Sequence, residues 1–529
     1  MTAPHTYITT TIPYVNARPH LGFGLELVQA DVLARHRRAR GDQVRLQAGT
    51  DDNSLKNVLA ARAAGVGVQE FVDANAAAFV ALAGPLSLSV DDVIRTSRDP
   101  RHRPGVERLW RACAQAGDLY RRHYEGLYCV GCEQFYAPGE LPGGRCPEHG
   151  TEPQPVSEEN WFFRLSRYAA PLRGLITSGE LRIEPAERRN EVLALIDGGL
   201  EDFSVSRSTE RAHGWGIPVP GDPGQVVYVW YDALVNYISA LGYGTGGPDL
   251  ERWWGGAGRR IHLAGKGVVR FHAVYWPAIL LSAGLPLPTD ILVHDYLTAD
   301  GQKISKSGGA TVDPAALAAQ YGTDAVRWWL LREVPQVGDT DFTVARLVGR
   351  ANDELANGLG NLVSRVTAMI RRYRDGRPPA AGTPAARTHH DAGPAAGAEP
   401  LREAIARAAG RVDAALADFD FRAATAAVWD IVDAANRYAS QAGPWVLARL
   451  ERDGDQEAGR QLDTVLGLLL QACRAAAGQL APFLPDAAAR VAQQCAAPDG
   501  RLPAAAPVFG RIEAGGPAPD RAAPGLAAR

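Results

Sequence analysis

An α/β fold is predicted, a parallel sheet split by a metal-binding insertion and followed by a helical bundle, and three observations predict it. Strand-like and helical runs alternate from Thr6 to about Thr96, and strand-like runs return after residue 226; such alternation means a parallel sheet with helices on its faces. Between these stretches Cys129-x-x-Cys132 is followed by Cys146-x-x-His149, a spacing that places three thiolates and an imidazole about a tetrahedral zinc ion. Beyond Asp341-Phe342 apolar residues recur at helical period through 346–374 and 401–490, as in a bundle.

A chain of 529 residues has room for about three or four domains. The expected division is a first catalytic half over 1–115, an insertion over 116–225, a second half over 226–345, a bundle over 346–497 and a loose tail over 498–529. Residues 375–400, rich in Pro, Ala and Gly, read as a loop. With 56 basic and 59 acidic side chains the net charge is -3, which excludes bulk electrostatic adhesion to nucleic acid and confines any RNA contact to local basic faces. The N-terminus lacks an apolar signal core, and the most apolar later run, Val465 to Leu484, is broken by Gln471, Arg474 and Gln479. A cytoplasmic protein without a membrane span is expected. Six cysteines, three of them clustered with a histidine, suit a metal site in a reducing compartment and not a disulfide framework.

Taken in order, the strand-like run Tyr7 to Thr11 leads to His20-Leu21-Gly22-Phe23-Gly24 and a helical pattern through Leu33. A strand feeding a glycine turn and a helix start presents free backbone N–H groups and the positive end of a dipole, an anion site to which His20 adds a donor. Gln43 to Ala48 reads as a strand, and Ser54 to Ala64 and Glu70 to Ala83 as helices. Ligands of such sheets sit at the carboxyl ends of the strands, where Tyr14, His20 and Asp51 fall; Asp51 either faces a bound cation such as an amino group or caps the next helix. The zinc knuckle follows, with no open ligand position and therefore a structural role. Sheet strands are expected again at Val226 to Trp230, Ile261 to Leu263 and Ile291 to His294. They lead to Gly301-Gln302-Lys303-Ile304-Ser305-Lys306-Ser307-Gly308-Gly309, a glycine- and serine-rich loop whose two ammonium groups suit a polyphosphate. No Walker loop occurs, so the two phosphate-type elements at either end of the sheet suggest an ATP held between its halves.

Those two elements resemble the two signatures of class I aminoacyl-tRNA synthetases. The surrounding residues resemble the methionyl member of that class: Ile12-Pro13-Tyr14-Val15-Asn16, Trp215-Gly216-Ile217-Pro218-Val219-Pro220, Tyr228-Val229-Trp230-Tyr231-Asp232-Ala233 and Arg270-Phe271-His272-Ala273-Val274-Tyr275-Trp276-Pro277. The resemblance runs in order from about Tyr7 to about residue 490. It implies a Rossmann-like catalytic sheet, ATP with Mg²⁺, a structural Zn²⁺, tRNA as partner, and methionine or another small amino acid as substrate, in a protein expected to be a monomer. His20, Lys303 and Lys306 would be catalytic, with Gly22, Gly265 and Ser305 joining them around ATP. Ile12, Tyr14, Asp51, Trp230, Ala233, Tyr237 and His272 would hold the amino acid, and Asn361, Arg365 and Trp445 would read the anticodon, beside an arginine face of Arg371, Arg372 and Arg374. Aromatic walls suit a polarizable thioether, and an exposed Trp beside arginines suits splayed bases.

The chain departs from the family pattern around the nucleotide. Phe23 replaces the second histidine of the first signature, Thr50-Asp51-Asp52-Asn53-Ser54 replaces T-D-E-H-G, Gly265-Lys266-Gly267 replaces G-K-D, and Gly309-Ala310 replaces Gly-Asn. Each lost donor at a developing charge costs about 10²–10³ in rate. These departures set two further expectations beside methionyl-tRNA synthesis: a paralogue passing an activated amino acid to a small amine or hydroxylamine, as hydrazine-forming relatives do, or a non-catalytic tRNA-binding protein.

Overall fold

The computed structural model describes residues 4–136, 138–147, 150–256, 258–299, 301–304, 312–379 and 397–513, and of Lys303 the backbone alone. His149, Ser305 and Lys306 lie outside the described residues.

Strand β1 (His5–Thr9) has Tyr7 and Ile8 almost fully buried, as a strand covered on both faces requires. It is the centre of a six-stranded, all-parallel sheet in the order Asp92–Arg95, Gln43–Thr50 (β2), β1, Gly258–Gly265, Asp290–His294, Arg182–Glu184. Because β2 and Gly258–Gly265 flank β1 on opposite sides, the chain changes direction there and opens a crevice at the strands' carboxyl ends. Helix α1 (Leu21–Ala39) leaves that crevice. Its last turn carries His36, Arg37 and Arg38, which suit the negative end of the helix dipole.

Two expectations are corrected. Val226 to Trp230 does not join the main sheet: Asp222–Val227 pairs antiparallel with Ser206–Ser208 and Pro218–Val219 in a small separate sheet, and Trp230 already lies in the helix Val229–Leu234. An apolar run of this length fits either element, and the sequence does not distinguish them. Nor is the insertion over 116–225 a separate body, because Arg182–Glu184 within it pairs parallel with Asp290–His294 as an outer strand of the main sheet. A strand this short carries no periodicity to read. The insertion opens with a long antiparallel ribbon, Leu119–Cys129 against Gln154–Phe163, with Gln134–Tyr136 at its knuckle end, and also holds the helices Ala169–Ser178 and Ala186–Asp197.

The bundle begins as one helical run, Val344–Arg350, a π-helical segment Ala351–Gly360 and Asn361–Arg374, followed by Glu399–Ala417, Phe421–Ala442, Pro444–Arg452, Gln456–Leu480 and Pro485–Cys495. One apolar core is shared between it and the face of the sheet that α1 covers. Fully buried Arg327 bridges the two, pairing with Asp31 of α1 at 2.8 Å and donating to the carbonyl oxygens of Leu86 (2.9 Å) and Phe483 (2.7 Å). Residues 501–513, expected as part of a loose tail, instead run back along the bundle. Leu502 and Val508 are buried, and Asn352 bonds both the N–H and the carbonyl of Ile512 at 2.8 Å. Among the described residues no single helix is long and apolar enough to cross a membrane.

Candidate active site

His20 stands in extended backbone immediately before α1. A Cβ at Gly22 would lie 3.1 Å from the imidazole, so glycine there lets the ring fold over the helix start, while the Leu21 N–H is taken by the Val312 carbonyl at 2.8 Å. His20 and Gly22 line a cavity of about 300 Å³ with Gly265 and Gly267 from the end of Gly258–Gly265, His294 from the end of Asp290–His294, Tyr296, and Ile304 of the lysine-bearing segment. The backbone of Lys303 pairs with Thr298 at this edge. Two wall residues were not foreseen: Glu26 of α1 and His294, whose Nε2 lies 3.0 Å from Glu26 Oε2. Burial works against the His294 imidazolium, but the Glu26 carboxylate outweighs it and raises the pKa above the ordinary histidine value. Glu26 also accepts the N–H and hydroxyl of Thr11, both at 2.6 Å. Its signal in the sequence was a carboxylate within the apolar run Leu25-Glu26-Leu27, on a helix buried nearly all round.

A second cavity of about 160 Å³ adjoins the first across Thr11, Pro13, Tyr14, Trp230 and Val268. Its further walls are Ile12, Ala233, Leu234, Asn236, Tyr237 and His272, so the expected amino-acid residues other than Asp51 converge here. Trp230 stacks on Phe271 at 3.8 Å and 4°. His272 donates from Nδ1 to the Val268 carbonyl (2.9 Å), and its Nε2 accepts the Tyr237 hydroxyl (2.7 Å); burial keeps this imidazole neutral by lowering its pKa. Behind the pocket a Cβ at Gly49 would meet the Ile94 carbonyl at 2.5 Å and Ile12 at 2.8 Å, so only glycine lets the Ile12 segment lie this close to the sheet.

Asp51 is buried beside the pocket, pairing with Tyr14 as an isolated parallel bridge, but is not among the wall residues of either cavity. The capping alternative falls to Ser54, whose side chain accepts the Lys56 N–H at 3.0 Å. Burial pushes the Asp51 carboxyl well above the usual carboxylate range; Asp232, Glu133 and Asp52 add to this, and only the Asn53 N–H at 3.2 Å opposes it. Glu133, by contrast, is a buried carboxylate with four donors: Ser54 Oγ (2.8 Å), Lys56 N (3.2 Å), Tyr128 Oη (2.6 Å) and Arg207 Nη2 (2.8 Å).

Glu133 lies within the metal knuckle, directly after Cys132. The sulfurs of Cys129, Cys132 and Cys146 all lie within 4.8 Å of one another, and the Tyr136 hydroxyl lies 3.1 Å from Cys132 Sγ. Three converging free thiols fit a structural zinc ion, which their thiolates would hold. The knuckle also reaches the larger cavity, where Gly131, Cys132, Gln134 and Tyr136 form part of the wall. In the bundle Asn361 is exposed, Arg365 half-buried, and Trp445 48% exposed. Arg374 is not available to RNA as expected, since Asp463 (2.5 Å) and Glu451 (2.9 Å) neutralise it.

Comparison with known proteins agrees with this geometry. The family model described as tRNA synthetases class I (M) matches residues 6–155 and 136–367. A methionine–tRNA ligase of Thermotoga maritima is 39% identical over 489 residues, covering 92% of this chain and 74% of the relative, and one of Brucella melitensis is 38% identical over 532 residues, covering 96% and 97%. The structure of Mycobacterium tuberculosis methionyl-tRNA synthetase in complex with methionyl-adenylate superposes with a TM-score of 0.88 at 36% identity, covering 96% of this chain and all of that one. The apo form of the same protein superposes at 0.82 and 33%, covering 97% and 99%. With its two cavities, its knuckle and its bundle in this arrangement, the chain belongs to the class I tRNA synthetases, in their methionine branch.

Proposed function

We propose that the chain activates methionine with ATP as methionyl-adenylate and passes the acyl group to tRNA. The observation that carries this reading is the junction of two cavities: an apolar, aromatic pocket sized for a thioether side chain opens into a larger one bearing His20. Methionine bound with its side chain between Trp230, Ala233, Tyr237 and His272 turns its carboxylate toward the larger cavity, where it attacks the α-phosphate of ATP and expels pyrophosphate. His20, with Lys303 and Lys306, stabilises the charge that moves onto the leaving group; Mg²⁺ bound with the triphosphate would supply further positive charge. No protein nucleophile is needed, because positioning and electrostatics carry both steps. Asp51, buried beside the pocket and bridged to Tyr14, is the carboxylate assigned to the ammonium group. In the second step the terminal ribose of tRNA takes the acyl group, with Asn361, Arg365 and Trp445 on the bundle reading the anticodon.

Amino-acid-dependent exchange of pyrophosphate into ATP, followed by charging of tRNA, tests this. Exchange with methionine and charging of its tRNA are expected. Exchange without charging would move the acceptor to a small amine or hydroxylamine, and tRNA binding with neither activity would make the chain a binding protein.

A further inference from the structure

Behind the pocket lies a buried chain of polar groups that the activation step does not itself touch. His102 and Asp232 are fully or almost fully buried, and His102 Nε2 lies 2.6 Å from Asp232 Oδ1. On its other side His102 Nδ1 meets Ser239 Oγ at 2.9 Å. The second oxygen of Asp232 accepts the side-chain amide of Asn53 at 2.7 Å, and the backbone N–H of that same Asn53 points at Asp51 Oδ1 (3.2 Å). One residue therefore ties both carboxylates together. Asp232 lies in the helix Val229–Leu234 that also supplies Trp230 and Ala233 to the pocket, so its position is fixed relative to the side-chain site.

The charges around Asp51 are unequal. Asp52, its neighbour, is neutralised by Arg95 at 2.8 Å and accepts Ser97 Oγ at 2.6 Å. Glu133, across the knuckle, is neutralised by Arg207. Tyr14, which bridges to Asp51, lines both cavities and has the Lys56 ammonium 5.5 Å above its ring. Among the described residues no arginine or lysine forms an ion pair with Asp51, and the field of Asp232 is the strongest charge acting on it.

We propose that Asp232, locked between His102 and Asn53, is a positioning residue for the ammonium subsite, supplying a second negative charge behind Asp51 that makes the subsite selective for a cation. The inference rests on the reading of Asp51 as the ammonium partner. A fixed carboxylate in a water-poor site attracts a nearby cation far more strongly than in bulk water, and His102 and Asn53 meet both oxygens of this one.

The test compares methionine with its desamino analogue, 4-(methylthio)butanoate, on the full chain. Asp232→Asn keeps the shape and removes the charge. It is expected to raise KM for methionine in pyrophosphate exchange roughly tenfold, leave inhibition by the desamino analogue within about twofold, and move the acid limb of methionine binding to lower pH, because Asp51 ionises more easily once its neighbour is neutral. Equal weakening of both ligands, or an unmoved acid limb, overturns the proposal. Asn53→Ala, at a partly exposed side chain, serves if Asp232→Asn does not fold; the same change in ligand preference, about threefold, supports the proposal and an unchanged preference overturns it. Asp51→Asn separates the two readings: if it leaves the preference for methionine over the analogue intact, the assignment of Asp51 fails, whereas loss of preference there with none in Asp232→Asn defeats the inference alone.

Discussion

Replacing Glu133 with Gln is expected to destabilise the protein while leaving its shape almost unchanged. The side chain is fully buried, and its carboxylate is met by Ser54, Lys56, Tyr128 and Arg207. Burial alone pushes its pKa up, but Arg207, with the hydroxyls of Tyr128 and Ser54, holds it below the usual glutamate value. A group with a depressed folded pKa contributes stability that is complete above its unfolded pKa, about 4.3, and lost as pH falls through the folded value; the difference between parent and variant is therefore constant from pH 6 to 9, within roughly the accuracy of such linkage. Removing the charge strands Arg207, itself 4% exposed, and leaving one member of a buried pair uncompensated costs about 3–5 kcal/mol. At roughly 2–4 °C per kcal/mol for a large cooperative unit, melting should fall by about 6–20 °C. Thermal unfolding followed by circular dichroism measures this, and the double variant Glu133→Gln/Arg207→Met should recover more than half of the loss, since an apolar replacement of the pair removes the stranded charge. A single variant melting within about 2 °C of the parent would refute the reasoning, because the desolvation cost it depends on would be missing.

Tyr237→Phe leaves Nε2 of His272 without its hydroxyl donor, a loss of about 1–3 kcal/mol at a buried acceptor; KM for methionine in exchange should rise roughly tenfold or more. Phe23→His gives up the edge-on contact with Phe79, at 5.4 Å and 65°, and adds a donor on the wall of the nucleotide cavity. Exchange rate should rise by about tenfold or more while melting falls slightly, and a slower enzyme would show that the cavity works as an apolar one. Cys146→Ser should abolish retention of zinc as measured by atomic absorption after dialysis, since Cys146 is one of three sulfurs that converge there. Trp445→Ala, at a side chain 48% exposed, should leave melting and exchange unchanged and raise KM for tRNA by about tenfold, the value of one base stacked on an aromatic ring.

What the sequence reveals of this molecule is what a single short stretch determines. The glycine turn at His20, the cysteines Cys129, Cys132 and Cys146 and the helical periods are local patterns, and the described residues have them in place. The pocket aromatics, from Tyr14 to His272, carry no local signal of converging; they were legible only through their joint resemblance to one family. The pairing of groups that meet across the fold was not legible in the sequence. His102 and Asp232 lie 130 positions apart, Glu133 reaches Ser54 across 79, and His294 reaches Glu26 across 268. Each reads in isolation as an ordinary polar residue, and only burial together makes its charge consequential.

The departures around the nucleotide take on a physical meaning once these long-range partners are known. Position 23 is both a wall of the nucleotide cavity and part of the packing between α1 and the helix Val68–Val80, where its ring meets Phe79. An aromatic hydrocarbon there serves the packing role and forfeits the donor role. Position 53 is different, because its amide is still a donor, aimed at Asp232 and not at solvent. Position 267 is a cavity wall without any side chain, and the nearby carboxylates are already engaged, Asp295 by Arg188 at 2.6 Å and Glu26 by Thr11 and His294. The smaller cavity therefore keeps the aromatic and polar residues expected of it, apart from Asp51, while position 23 in the larger one serves packing. Any loss of rate should accordingly appear in the use of ATP and not in the binding of methionine.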